Sequence, residues 1–271
     1  EVAYQPGPAP RQFARLDQLY PLFKTAEFSS FYWSPYYYSF LVLGQYVQQN
    51  WTAIALAEDP RTFADARVKE ELQHLISLIE YRSGVMAEAA VQRRSIVEYF
   101  SAILSFNRSS HPWTVYLLEA TLNVAHFTVQ WFKHIYSRPR PSQLCPQLLP
   151  PFGPPMHAAF PSAHATEGRL SAQMLKLVMN SAHLGGLNSA GLVTETGAAL
   201  VRNPLDDMAD RIARNREVMG LHYPSDSAAG KELADKIMPL LMLCPAVNRP
   251  AAPLGMLQRA RAEWAGTQQR L

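Results

Sequence analysis

The chain has 271 residues, of which 48% are hydrophobic and 17% charged; that length and make-up can bury a substantial core and carry no signature of disorder. The formal net charge is +3, with no run of lysines or arginines, which argues against a nucleic-acid partner, because a phosphate backbone calls for clustered positive charge. Two cysteines, Cys145 and Cys244, exclude a disulfide framework and a multi-cysteine zinc site; two unpaired thiols are expected, with a single bridge the alternative.

In chain order, most of the sequence reads as helices broken by Pro, Gly and Asn, with no sustained strand-like alternation. The aromatic opening Phe31 to Tyr38 reads as a core or interface plug, which leaves a homodimer open. Helices are expected over residues 38–57, 61–81, 84–106, 113–136, 163–183, 204–220, 224–243 and 253–264. Asn203 followed by Pro204 is an N-cap with proline at the first helical position, and Pro224 suits the same slot. The expected architecture is an all-α helical bundle over residues 1–271 as a single domain. Within it, residues 1–112 form N-terminal helices, 113–240 a core with the motifs below, and 241–271 a C-terminal helix and tail. No membrane span is expected: residues 113–136 are long enough for the ~20 a spanning helix needs, but Glu119, Asn123, His126, Gln130 and Lys133 interrupt them. The chain opens at Glu1 without an initiator Met, which leaves periplasmic, secreted and cytoplasmic locations open.

One segment departs from the helical pattern. Ser137 to Pro161 contains eight prolines, too many for regular structure. A long irregular stretch inside a domain is usually functional, and the residues at its two ends support that over a linker. Before it stands Lys133-His-Ile-Tyr-Ser-Arg138-Pro-Arg140-Pro141; after it, Pro161-Ser162-Ala163-His164 opens the next helix. A third motif, Asn215-Arg216-Glu-Val-Met-Gly-Leu-His222-Tyr-Pro-Ser-Asp226, sets a histidine and an aspartate four residues apart across a proline-initiated turn.

These residue types suit a tetrahedral oxyanion. Arg140 and Arg216 can bind it bidentately, with Lys133 as a point charge. Ser162 Oγ and the backbone N–H groups from Ala163 onward add donors at the positive end of a helix. One neutral imidazole can bond the central atom while another handles the proton on the apical oxygen. Asp226 would hold the His222 Nδ1–H so that Nε2 presents its lone pair. Each lysine, arginine or histidine alone would more often be a solvated or satisfied residue; three motifs that supply different parts of one site are the stronger signal. Within helix 113–136, Glu119, Asn123, His126 and Gln130 fall within about 80° of Lys133 on the wheel, either a solvated face or a stripe toward a polar pocket. The position of Lys133 favours the pocket.

The three motifs resemble the signature of the type 2 phosphatidic acid phosphatase and vanadium haloperoxidase superfamily: lysine, six residues, Arg-Pro; Pro-Ser-Gly-His; and Ser-Arg, five residues, His, three residues, Asp. The resemblance covers about residues 113–240. It implies a bundle of that type, with Lys133, Arg140, Ser162, Arg216 and the Ala163 N–H on the equatorial oxygens. His164 is then the acid–base residue, and His222 the nucleophile or vanadium ligand, oriented by Asp226. Two positions depart from the pattern: Ala163 stands for glycine, whose methyl would strain a positive φ or crowd the oxyanion, and Asn215 stands for serine. The resemblance leaves two activities, which share a site because five-coordinate vanadate resembles the phosphoryl-transfer transition state. In a haloperoxidase, vanadate held by His222 is the cofactor, and hydrogen peroxide and bromide or iodide are the substrates. In an acid phosphatase there is no cofactor, and a phosphate monoester passes through a phosphohistidine on His222. His157, seven positions before His164, is where bromide-oxidising members carry a further active-site histidine, which favours the haloperoxidase; a loop histidine facing water is the alternative. Arg138-Pro-Arg140-Pro resembles the acid phosphatases instead. A non-catalytic oxyanion-binding helical protein is a third reading, one that gives no use to an oriented nucleophile.

Overall fold

The computed structural model describes residues 35–179, 187–188, 191–192 and 203–265. Apart from a two-residue antiparallel ladder, Leu187 opposite Leu192 and Asn188 opposite Gly191, its regular structure is helical. Phe31 to Ser34 and residues 180–183 of the expected helix lie outside the described residues.

The first three expected helices are shorter and more broken than their patterns suggest. Helix α1 covers Pro35–Tyr46 and stops where Trp51, in a single 3-10 turn, seats its ring against Phe127 and Trp131 at 5.0 and 5.4 Å. That aromatic anchoring, rather than local propensity, ends the helix well before residue 57. Of the aromatic opening, Tyr38 packs on Trp113 and Tyr116, whereas Tyr36 and Tyr37 face outward. Helix α2 (Asp65–Ser77) starts later than expected because the Asp59 side chain caps a separate turn, Pro60–Thr62. The expected 84–106 helix divides into α3 (Arg82–Gln92) and α4 (Val97–Leu104), with Ser95 Oγ accepting from the Val97 N–H at the restart.

The later helices follow the sequence closely: α5 is Pro112–Tyr136, α7 Ala163–Val178, α8 Pro204–Val218, α9 Pro224–Met242 and α10 Met256–Trp264. Asn203 caps α8 by accepting from the Leu205 N–H, and Pro204 and Pro224 open their helices. The start of α5 is capped from a distance: Glu263 on α10 accepts from the N–H groups of Trp113 and Thr114. Between α5 and α7 the proline-rich stretch is irregular except for the one-turn helix α6 (Pro141–Leu144) and the 3-10 turn Pro146–Leu148, a small correction to the expectation of no regular structure. Its ends are tied together, since Ala159 N–H donates to Arg138 O at 2.9 Å.

All these helices belong to one compact unit, Pro35–Leu271. Helices α5 and α7 are central: α1 and α10 pack on α5, while α8, α9 and α5 surround α7. Their shared core includes Tyr46, Phe100, Tyr116, Leu117, Leu170, Leu175, Ile212, Leu233 and Trp264. Gly230 on α9 permits the closest approach, because a Cβ there would stand 2.5 Å from Ser162 O and 2.9 Å from Ala165 Cβ. A smaller apolar cluster, with Leu75, Leu148, Val218 and Tyr223, lies under the proline-rich loop. Arg82 clamps that region by donating to the carbonyls of Val218, Leu149 and Leu148. Among the described residues no helix is long and apolar enough to cross a membrane. Cys145 and Cys244 are both buried and free, as expected.

Candidate active site

The three motifs, 133–140, 161–164 and 215–226, converge. Helix α8 ends in a left-handed turn at Gly220 (φ 70°), with Gly220 N–H on Glu217 O and Leu221 N–H on Arg216 O. This reversal carries the chain from buried Arg216 to buried His222 and on to the first turn of α9. Ser162, the N-cap of α7, donates its backbone N–H to Asp226 O at 2.9 Å, which ties the second motif to the third.

His222 is held on both sides. Its Nδ1 lies 3.1 Å from Asp226 Oδ2, and its Nε2 lies 3.0 Å from Arg140 Nη1. A guanidinium can only donate, so Nε2 carries the lone pair and Nδ1 the proton. Asp226 is fully buried; Oδ2 also accepts from Tyr223 N–H, and Oδ1 accepts from Arg138 Nη1 at 2.7 Å. Arg140 also donates to Leu221 O from Nη1, to His157 O from Nε and to His157 Nδ1 from Nη2, so four of its five N–H groups are engaged.

A cavity of about 430 Å3 opens before these groups. Arg140, His157, Ala163, His164 and His222 all line it, together with Glu167, one turn beyond His164. Of the polar stripe on α5, Asn123, His126 and Gln130 reach its wall. Lys133 instead lines the neighbouring cavity, which shares Gln130, Arg140, Pro155 and His157 with the first, and Glu119 lines neither. Lys133 Nζ donates to the carbonyls of Ala158 and Ala159, both at 2.8 Å.

Ser162 and Arg216, both expected on the anion, are buried and line neither cavity. Ser162 Oγ accepts from Ala165 N–H at 3.4 Å, so its first task is to cap α7, and its hydroxyl proton remains to be donated. The strain expected of Ala163 is absent. Ala163 is the first residue of a regular helix, and it is not among the described residues with positive φ. Arg216 is 1% exposed and donates from Nη2 to Ala89 O and Gln92 Oε1, while Nε and Nη1 have no acceptor. Asn215, where the family pattern has serine, donates to Glu88 and Gln92 and steadies the same corner.

The electrostatics follow from burial among cations. His222 is held well below the usual imidazole range by burial, then by Arg140 and Lys133. His164 falls to about 3 through burial and Arg216, and His157 to about 4 through burial and Lys133. His164 Nε2 therefore donates as a neutral ring to Gln92 O at 3.0 Å. Burial lowers Arg140 and Arg216 to about 10 each, and burial followed by Arg140 pushes Lys133 well down. Glu167 moves the other way, to about 7, because burial outweighs the attraction of Lys133.

Three contributors lie outside the motifs, and a fourth, Arg138, lies within the first motif but has no part in the expected site. Arg138 pairs with Asp226, Glu71 pairs with Arg138, Gln92 contacts both His164 and Arg216, and Glu167 supplies a carboxyl to the cavity. Arg138 and Glu167 could have been sought from spacing, two residues before Arg140 and one turn after His164. Glu71 and Gln92 reach the site only through tertiary packing. No protein-family model matches the chain, and no curated protein matches it.

Proposed function

We propose that this chain is an oxyanion enzyme of the phosphatidic acid phosphatase and vanadium haloperoxidase type, in which His222 Nε2 bonds the central atom of phosphate or vanadate. One observation carries the reading. A buried imidazole with its proton fixed on Asp226 offers its lone pair beside Arg140, and the nearby guanidinium of Arg216 has two buried donors without acceptors. Unpaired buried donors of a cation are costly, and an anion would satisfy them. The donor set suits an anion and not a metal cation: among the described residues no group of three or more His, Cys, Asp or Glu is placed to hold a metal ion.

Vanadate would suit this donor set: His222 would be its ligand from the protein, and Arg140, Arg216, Lys133 and the Ala163 N–H would be its anion donors. When bound, vanadate supplies the activation of hydrogen peroxide toward halide oxidation. His157, in the cavity wall and accepting from Arg140 Nη2 at 3.1 Å, supports this haloperoxidase reading, because it adds an imidazole beside the anion site. Glu167 supports the second reading, a phosphatase. There, His222 Nε2 attacks phosphorus, the ester P–O bond breaks, and the departing oxygen needs a proton. A carboxyl raised to about 7 carries a proton in about half the molecules at neutral pH, when His164 at about 3 does not. Water then attacks the phosphohistidine, releasing phosphate and the free ring.

The test is to assay purified protein for p-nitrophenyl phosphate hydrolysis and, after orthovanadate loading, for peroxide-dependent bromination. Vanadate activates the haloperoxidase and inhibits the phosphatase, and His222→Ala abolishes whichever activity is present. An activity that survives this substitution unchanged removes the mechanism.

A further inference from the structure

Arg138 is buried like the anion-facing cations but partnered differently. Its guanidinium lies 3.7 Å from the Tyr223 ring centroid and 5.2 Å from that of Phe63, which fixes its plane. Along the edge, Nη1 donates to Asp226 Oδ1 and Ser225 Oγ, both at 2.7 Å, and Nη2 donates to Glu71 Oε2 at 2.8 Å. Glu71 Oε1 accepts from Ser225 N–H at 2.8 Å, so α2, the start of the proline-rich loop and the first turn of α9 form one hydrogen-bonded ring. Asp226 thereby divides its oxygens: Oδ1 faces Arg138, and Oδ2 remains for His222 Nδ1–H and Tyr223 N–H.

We infer that Arg138, backed by Glu71, is a positioning residue that fixes the Asp226 carboxylate and through it the tautomer and aim of His222. The inference rests on His222 being the group that bonds the oxyanion. The hydrogen bonds of Arg138 go to Asp226, Ser225 and Glu71 and not to the His222 ring. Without it, Oδ1 loses its charged donor inside the protein, and the carboxylate can rotate about its Cβ–Cγ bond. Oδ2 then no longer stands squarely opposite Nδ1, and Arg140 Nη1 alone is left to hold the lone pair on Nε2. Supporting groups of this kind typically contribute 10- to 100-fold in activity.

The experiment uses the full chain with 15N-labelled histidine, in the wild type and in Arg138→Gln, Arg138→Lys and Glu71→Gln. The wild-type His222 spectrum is expected to show the Nδ1–H tautomer alone. Arg138→Gln should yield a mixture with Nε2–H and lower kcat roughly 10- to 100-fold, with KM within about threefold. Arg138→Lys, which keeps the charge but loses the fork, should recover part of both signals. A merely structural arginine would lower the melting temperature and leave the tautomer as it was. An unchanged His222 spectrum in folded Arg138→Gln overturns the inference; if that variant does not fold, an unchanged spectrum in Glu71→Gln does so. Should the wild type show neither assayed activity, the functional reading fails, while the spectra still decide the role of Arg138.

Discussion

Replacing Arg216 by methionine separates what the site does from what the fold needs. Its guanidinium is 1% exposed and leaves Nε and Nη1 without acceptors. Each unsatisfied buried polar group costs about 1–3 kcal/mol. Lowering of the pKa from 12.5 to about 10 gives the same scale, on the order of 3 kcal/mol against the charged form at neutral pH. Opposing this are the bonds from Nη2 to Ala89 O and Gln92 Oε1, about 1 kcal/mol each. Of the two acceptors, only Ala89 O is left wanting, since Gln92 Oε1 keeps the Asn215 amide. Methionine fills most of the vacated space with an unbranched apolar chain. The ligand-free variant is therefore expected to be more stable than the wild type by roughly 2 kcal/mol, which is the usual direction when an imperfectly paired buried charge is replaced by a hydrophobe. Phosphate should reverse the order. A ligand at a hundredfold its Kd stabilises the wild type by about 2.7 kcal/mol, and the variant should gain little. Urea denaturation of both proteins, with and without phosphate, reads all four states. A variant that is less stable without phosphate and equally stabilised by it would refute the assignment of Arg216 to the anion.

The histidine shifts predict acid lability. Unfolded imidazoles take up protons below 6.5, whereas His164 at about 3 and His222 well below its usual value do not. The unfolded state then binds more protons and stability falls with pH. Glu167, about 7 when folded against 4.5 unfolded, opposes the loss only down to pH 4.5. His164 alone removes ~1.4 kcal/mol per pH unit below 6.5, and the net curve should steepen below 4.5, where Glu167 no longer opposes it; a flat profile from pH 6.5 to 4 in denaturation experiments would contradict the neutral-ring site. Gly230→Ala should lower stability by about 1–3 kcal/mol despite its better helix propensity, because its Cβ meets Ser162 O at 2.5 Å. An unchanged melting temperature would mean that α7 and α9 can part without cost. Of the two cavity residues that distinguish the readings, His157→Ala should depress bromide oxidation far more than ester cleavage, and Glu167→Gln the reverse; equal effects on both rates would strip each of its role.

The helices that carry the motifs were legible because local signals and tertiary packing agree. Asn203-Pro204 and Pro224 mark helix starts that the fold keeps, and α5 runs to within one residue of its expected span. The N-terminal helices were misjudged where packing overrode pattern, as at Trp51, or where a side chain capped a turn that looked like a continuing helix, as at Asp59. The candidate site divides along the same line. Lys133, Arg140, His164, His222 and Asp226 lie in short motifs whose spacing reflects their geometry. Glu71 and Gln92 come from segments 67 and 72 residues away from their partners Arg138 and His164, with no local reason to be there. The glycine expected at position 163 also meant less than its pattern implied. The backbone at Ala163 is ordinary helix, so any consequence of the methyl falls on the room left in the cavity and not on the fold.

The identity of each buried cation's partner sorts the cations by purpose. Arg138 faces two carboxylates, Glu71 and Asp226, and its charge is cancelled within the scaffold. Lys133, Arg140 and Arg216 are met by neutral acceptors: the carbonyls of Ala158, Ala159, His157, Leu221 and Ala89, the Gln92 amide and imidazole nitrogens. Such acceptors hold a cation in place without neutralising it, so net positive charge persists around His222. A sequence shaped for stability alone would have placed acids there or removed the charges, since burial depresses all three pKa values. Arg82, also held by three carbonyls, marks the limit of the criterion: Arg140, Lys133 and Arg216 all act on the charge of His222, and Arg82 is not among its neighbours. Uncancelled charge therefore points to an anion only where it stands beside a group able to bond one, and the proposed function gives that part to the Nε2 of His222, whose lone pair faces Arg140.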